Sequence, residues 1–218
     1  MQKVLLAPLP YERPEELHTV WRDLSAIVDL KRGNLGGPDV PALQAAGGVI
    51  VDAAALDREG RTFSRAGGGA GDAAPAEITI LLTSHNLFRL LGVRPMLGRT
   101  FTRAENEPGH NRVAVLSHTL WQQRFAGDPS VLGKTIVLNA IAHTVVGVMP
   151  QEFNLPAESE VWLPLQYGNY FSADTTASRK NNEYVRVIAR LRRGITLAVA
   201  TAELAAFARR LEERFPET

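Results

Sequence analysis

Ser84-His85-Asn86-Leu87-Phe88-Arg89-Leu90-Leu91-Gly92, then Val113-Ala114-Val115-Leu116-Ser117 and His118 to Phe125, form the stretch that decides the fold. Ser84 reads as the N-cap of a helix through Leu91, with Gly92 just past its end. Leu87, Leu90 and Leu91 share one helical stripe. Val113 to Leu116 reads as a buried strand, and Ser117 as the cap of a second helix that Gly127-Asp128-Pro129 stops. Trp121 and Phe125, one turn apart on that helix, point to one face and are expected in the core. Lys134 to Met149 reads as a strand pair with its turn near Asn139-Ala140, where Asn accepts a left-handed backbone more readily than Ala. Val161-Trp162-Leu163-Pro164-Leu165 reads as a short strand with an edge proline.

Working outward toward the start, Glu77 to Thr83 is a strand, and Glu59-Gly60 between two apolar runs suggests a hairpin turn with Asp57, Arg58 and Glu59 at a charged tip. Arg65 to Pro75 is a Gly- and Ala-rich surface loop. Pro41 to Ala46 is a short helix ended by Gly47-Gly48, and Lys31 to Pro38 is a loop. Glu15 to Trp21 fits a helix or a strand equally well. Toward the end, Gly168 to Asn182 is a polar loop. In Tyr184 to Leu191 the residues Val185, Val187, Ala189 and Leu191 alternate with Tyr184, Arg186, Ile188 and Arg190, the pattern of a half-buried strand. Thr196 caps a last helix whose apolar stripe is Leu197, Ala200, Leu204, Phe207 and Leu211. Strands alternating with helices argue for an α+β or α/β class.

Composition narrows the function classes. The 218 residues suffice for a sizeable core. Lys and Arg number 24 and Asp and Glu 23, so a formal net charge of +1 offers no field for nucleic acid or an anionic membrane. No apolar run approaches the roughly 18 residues of a membrane helix. There is no cysteine, which removes disulfides, thiol nucleophiles and cysteine metal sites.

Chemistry-bearing patterns are sparse. Among His18, His85, His110, His118 and His143 no pair has the i, i+4 spacing of a helical zinc motif, so no metal ligand is assigned. Gly67-Gly68-Gly69-Ala70-Gly71 lacks the Lys-Ser/Thr of a Walker loop and the spacing of a dinucleotide fingerprint, so no cofactor residue is assigned. Ser84, Ser117 and Ser130 have no nucleophile-elbow context. Glu152, Glu158 and Glu160 cluster near prolines and read as solvated carboxylates, with an acid/base pair as the competing reading. Trp21, Trp121 and Trp162 read as core or groove linings. No catalytic residue is assigned.

A resemblance then covers nearly the whole chain. It rests on Ser84 to Pro95, Leu97-Gly98-Arg99-Thr100-Phe101, Val113 to Ser117, Leu120-Trp121-Gln122-Gln123-Arg124-Phe125 and Gly127-Asp128-Pro129, then on Leu132-Gly133-Lys134-Thr135-Ile136, Asn139, His143 to Pro150 and Val161 to Leu165. Together these resemble the extracytoplasmic core domain of the MacB-like ABC-transporter permeases, above all the internally duplicated permeases of acidobacteria. Val4 to Tyr11 is similar to the segment that leaves their first membrane helix, and Arg190 to Leu197 fits the family's ending. Ala140 stands where the family usually has a turn glycine.

The resemblance implies an α+β fold, with a porter-like α/β part from residues 1–80 and 160–218 and a smaller inserted α/β part from 81–159. It implies a soluble domain on the extracytoplasmic face of the bacterial inner membrane, lying between two membrane helices, with both termini at one end. It implies no active site and no ATP binding. The partners would be a cytoplasmic ATPase subunit or domain, reached through membrane helices, and a periplasmic adaptor or second permease copy. The last helix would carry force, and the Gly67 to Gly71 loop would be passive. The alternative of another class is an enzyme handling a small molecule or glycan through the acidic cluster near Glu158.

Overall fold

Aliphatic residues at every second position build the sheet, because successive side chains of a strand face opposite ways. The structure, a computed structural model, describes residues 11–21, 34–36, 39–65, 76–153, 155, 159–166 and 184–214. Its strands are β1 (Leu17–Val20), β2 (Leu35–Gly36), β3 (Ile50–Arg65), β4 (Ala76–Thr83), β5 (Leu97–Gly98), β6 (Val113–Leu116), β7 (Thr135–Leu138), β8 (Ile141–Val148), β9 (Val161–Pro164) and β10 (Tyr184–Leu191). The helices are α1 (Asp39–Ala46), α2 (Leu87–Leu91), α3 (His118–Phe125) and α4 (Leu197–Arg214). The fold is mixed α/β around one large mixed sheet, ordered β1-β10-β3-β4-β9-β6-β8-β5. Only the β4–β9 and β6–β8 pairings are parallel among those described.

Two departures from that path shape the molecule. β7 pairs with both β8 and the far end of β3, so β3, β4, β9, β6, β8 and β7 form a closed ring of pairings. β1 and β2 both pair with β10, at successive positions along it: Val20 faces Val187 and Leu35 faces Val185. Glu15 to Trp21, ambiguous in sequence, thus resolves largely into strand.

The alternation separates two cores. Ile78, Ile80, Val161, Leu163, Ala114, Leu116, Val187 and Ala189 face one core, joined by Trp121 and Phe125 of α3. Leu81, Trp162, Val115 and Leu56 face the other, where Phe88, Phe101 and Phe153 cover them. Trp121 and Phe125 are buried as their spacing requires, and the Trp121 indole N–H donates to the Asp128 carbonyl at 2.9 Å.

Several local readings hold. Ser117 caps α3, its Oγ accepting from the Leu120 amide at 3.1 Å. Asn139 and Ala140 form the β7–β8 turn with φ of 48° and 64°. α1 ends at Gly47 and Gly48, both left-handed. Four readings need correction. Glu59-Gly60 is not a turn, and Asp57, Arg58 and Glu59 are no tip: β3 runs straight through them, with Glu59 opposite Ile80 and Gly60 opposite Thr79. Eight consecutive rungs with β4 outweigh one local turn signal. Ser84 does not cap α2, whose N-cap is Asn86. The Ser84 hydroxyl instead accepts from the Ala55 amide at 3.0 Å, so β3 has claimed it. β9 is an interior strand between β4 and β6, and Pro164 is tolerated as its last residue, beyond the final rung with β6 at Trp162. In the α4 stripe Ala200 is buried and Leu204 and Phe207 pack on the core, but Leu197, in the first turn, is 61% exposed. The expectations for the Gly67 to Gly71 loop, the Gly168 to Asn182 loop and the two termini lie outside the described residues.

Candidate functional site

The residues that could have carried chemistry are spread across the molecule and tied to the backbone. His18 bonds the Glu15 carbonyl, and buried His143 bonds the Ile141 carbonyl at 3.0 Å. His85 meets Asn106 Oδ1 through its ring Nδ1 at 3.0 Å. Its pKa is lowered first by burial, against the opposing pull of that hydrogen bond. Among the described residues no group of three His, Asp or Glu side chains could hold a metal ion. Of the acidic cluster, Glu160 accepts the Thr79 amide at 3.2 Å, Glu152 is exposed, and Glu158 lies outside the described residues. Ser130 and Lys134 both bond Asp128, holding its carboxyl well below the usual range, in the turn that starts β7.

Two polar knots are buried instead. In the first, Asn106 donates to the Thr83 and Leu165 carbonyls and accepts from the His85 amide at 2.6 Å. Beside it Asn86 donates to Asp52 and to the Ala53 carbonyl, and Arg89 pairs with Asp52 at 2.9 Å. Asn106 thus ties the ends of β4 and β9 to the residue before α2, and Asn86 ties the start of α2 to β3, which gives buried carbonyls their donors. In the second knot Arg190 is only 6% exposed, although alternation put it on a half-buried strand with exposed Arg186. Its guanidinium pairs with Glu16 at 3.2 Å and donates to backbone carbonyls of Glu12, Arg13 and Leu90. Sequence reading passed over Asn86, Asn106 and Arg190. Only a polar residue inside an apolar pattern marks them, and that signal does not name a partner.

The surface feature is a groove of about 880 Å3 between β1, α1 and α4. Leu17 and Val20 line one wall, Leu204, Phe207 and Leu211 the other, and Leu43 of α1 contributes as well. Trp21 stands at its rim, 48% exposed, so of the three tryptophans two are core and this one is a groove lining. Asp39 and Arg209 give the groove charges of both signs. The site is thus an apolar channel with a polar margin and no convergent acid/base pair among the described residues, a shape for holding a chain or a side chain.

The family description MacB-like periplasmic core domain matches residues 13–207. The chain belongs to this family. Among solved structures, the periplasmic region of MacB from Actinobacillus actinomycetemcomitans is similar with a TM-score of 0.63 at 14% identity, covering 92% of this chain and 83% of that one. The extracellular domain of the noncanonic ABC-type transporter YknZ from Gram-positive bacteria is similar with a TM-score of 0.58 at 18% identity, covering 91% and 92%. At these identities the two structures speak for the fold. No curated protein matches in sequence. The MacB-like assignment makes this chain a periplasmic domain of an ABC-transporter permease. No described helix is long and apolar enough to cross a membrane.

Proposed function

We propose that this domain is the non-catalytic relay of its permease, passing conformational change driven by cytoplasmic ATP hydrolysis to the extracytoplasmic side and docking a partner there for export. The observation that carries the reading is the seat of α4. Ala200 is buried, and Leu204 and Phe207 pack on the core that includes Val185, Val187, Ala189 and Leu191 of β10. A helix seated on a sheet in this way moves with it as one body, because packed interiors shift between discrete arrangements rather than deform. In this reading the chain sits at the outer face of the inner membrane, between membrane helices that connect it to the ATPase subunit or domain. Residues 1–80 and 160–218 act as the porter-like part and 81–159 as the inserted part. A periplasmic adaptor or a second permease copy docks on the domain, and the groove beside α4 supports that role.

The test is Leu204→Asp in the full-length permease, with folding and export per ATP hydrolysed measured together. The expected result is loss of coupling with the sheet still folded, since a carboxylate at this half-buried position weakens the seat of α4 and leaves the strand pairings untouched. Full export from a protein with a carboxylate at 204 would end the proposal that α4 carries force.

A further inference from the structure

Arg190 lies where the segment leading into the sheet meets the strand leading out of it. We infer that Arg190 is a coupling pin: a positioning residue that locks Tyr11 to Glu16 onto the end of β10, so that displacement of that leading segment passes directly to α4. The inference rests on the relay reading above and adds to it a specific residue and a route.

Four observations support it. The guanidinium has five N–H donors in a rigid fork. Three of the acceptors it meets belong to the leading segment: the Glu12 carbonyl at 2.7 Å, the Arg13 carbonyl at 3.1 Å and Glu16 Oε2 at 3.2 Å. A fourth acceptor, the Leu90 carbonyl, lies in the last turn of α2, the negative end of that helix. One side chain therefore holds three elements, and no rotation of a single bond frees one of them alone.

The leading segment is also held without slack. Glu12 donates to the Leu91 carbonyl at 3.0 Å, and a Cβ placed on Gly92 would come within 2.3 Å of the Glu12 Cβ. Tyr11 is buried with its ring 6.2 Å from that of Phe153. Arg13 takes a left-handed backbone, φ 49° and ψ 64°, a conformation that costs a non-glycine residue and persists only where its surroundings impose it.

Third, β10 breaks register beside the pin. Arg190 faces Asp52, but Leu191 faces Ile50, so the ladder with β3 skips a residue at this point. Such irregularities re-aim side chains, and this one adjoins the buried guanidinium. Fourth, the outgoing link lies against the leading segment. Glu15 and Glu16 share a small cleft of about 130 Å3 with Arg192, Arg193, Gly194 and Ile195, the residues that join β10 to α4. A push on Glu16 thus reaches the start of α4 through Arg190 and this link, without crossing the ring of strands.

Buried ion pairs are often replaceable by apolar residues at no loss of stability, which gives the inference a clean test. The variants are Arg190→Lys, which keeps the charge but loses the fork, and the double variant Arg190→Met with Glu16→Gln, which leaves no unpaired buried charge. In the 218-residue chain, amide exchange at Glu12 and Glu16 should rise about tenfold or more in both variants while the β6–β8 amides keep their rates. In the full-length permease, export per ATP hydrolysed should fall several-fold in the double variant and less in Arg190→Lys. Unchanged exchange at Glu12 and Glu16 overturns the pin itself. Faster exchange with full export overturns its place on the route. Either result leaves the seat of α4 to be judged by Leu204→Asp, so failure here is distinct from failure of the relay reading. If the double variant does not fold, Arg190→Lys alone decides between the same outcomes.

Discussion

On the α2 face of the sheet Phe88 lies 5.7 Å from Phe153 and 6.1 Å from Trp162, ring to ring, and Trp162 is wholly buried. On the opposite face, toward α4, the helix contributes one buried alanine and two half-buried side chains, and a groove opens beside them. The same strands build both faces, so the sheet does not explain the contrast. The lids do. Large aromatic rings packed on one another seal that core, whereas a helix seated by a narrow stripe leaves open surface beside it. The polar groups follow the same division: Asn106, Asn86 and Arg190 are buried on or beside the sealed side, where each donates to backbone carbonyls. A domain that relays motion needs a body that holds together and an open surface where a partner can receive the displacement.

The contrast can be broken by experiment. Trp162→Ala should have the largest effect, a loss of about 3–5 kcal/mol in urea unfolding, because it empties the centre of the aromatic cluster. A loss under about 1 kcal/mol would show that this face is no tighter than the other. Asn106→Ala should cost about 1–3 kcal/mol, since it removes the Asn106 partner of the Leu165 carbonyl and of the His85 amide. Normal stability with that side chain removed would mean that water replaces it and that the knot is not structural.

The sealed face should also show in alkali. Burial pushes the Tyr11 hydroxyl from an ordinary 10.0 up to about 12. The folded state therefore holds the proton more tightly than the unfolded one. The resulting stability is fully present below pH 10 and is lost as pH rises toward 12. Unfolding midpoints of the wild type should fall across that window, and Tyr11→Phe should flatten the fall. A Tyr11→Phe chain with the same decline would place the effect elsewhere. At the small end, Leu197→Ala should change stability by less than about 0.5 kcal/mol, because that stripe position faces water. A larger loss would mean that the α4 face is closed further than its first turn suggests.

Much of the fold was legible because it is local or periodic. The alternation in β10 named its buried face, Ser117 announced α3, and Asn139-Ala140 marked the β7–β8 turn. What could not be read depends on residues distant in sequence. Ser84 carries every mark of a cap, yet its hydroxyl is taken by an amide 29 positions away. Glu59-Gly60 looks like a turn until β4 pairs across it. Arg190 sits in a half-polar strand, and only the approach of Glu12, Arg13 and Glu16, some 174 to 178 positions earlier, turns it into a buried anchor. The groove was legible only in the reading of the tryptophans as core or groove linings, because its walls come from β1, α1 and α4, which the chain brings together from both ends.

The pairing of β7 back onto β3 also bears on how the protein behaves at high concentration. Every described strand of eight or more residues, β3, β4, β8 and β10, has neighbours on both sides, and the described strands at the margins, β1, β2 and β5, are four, two and two residues long. An unpaired edge is a template on which another chain can add a strand and seed a fibril, and the risk grows with the length of that edge. Margins this short offer an incoming chain only a few rungs, which lowers the risk of self-templated aggregation; among the described strands the middle of β3, 57–62, pairs on one side alone.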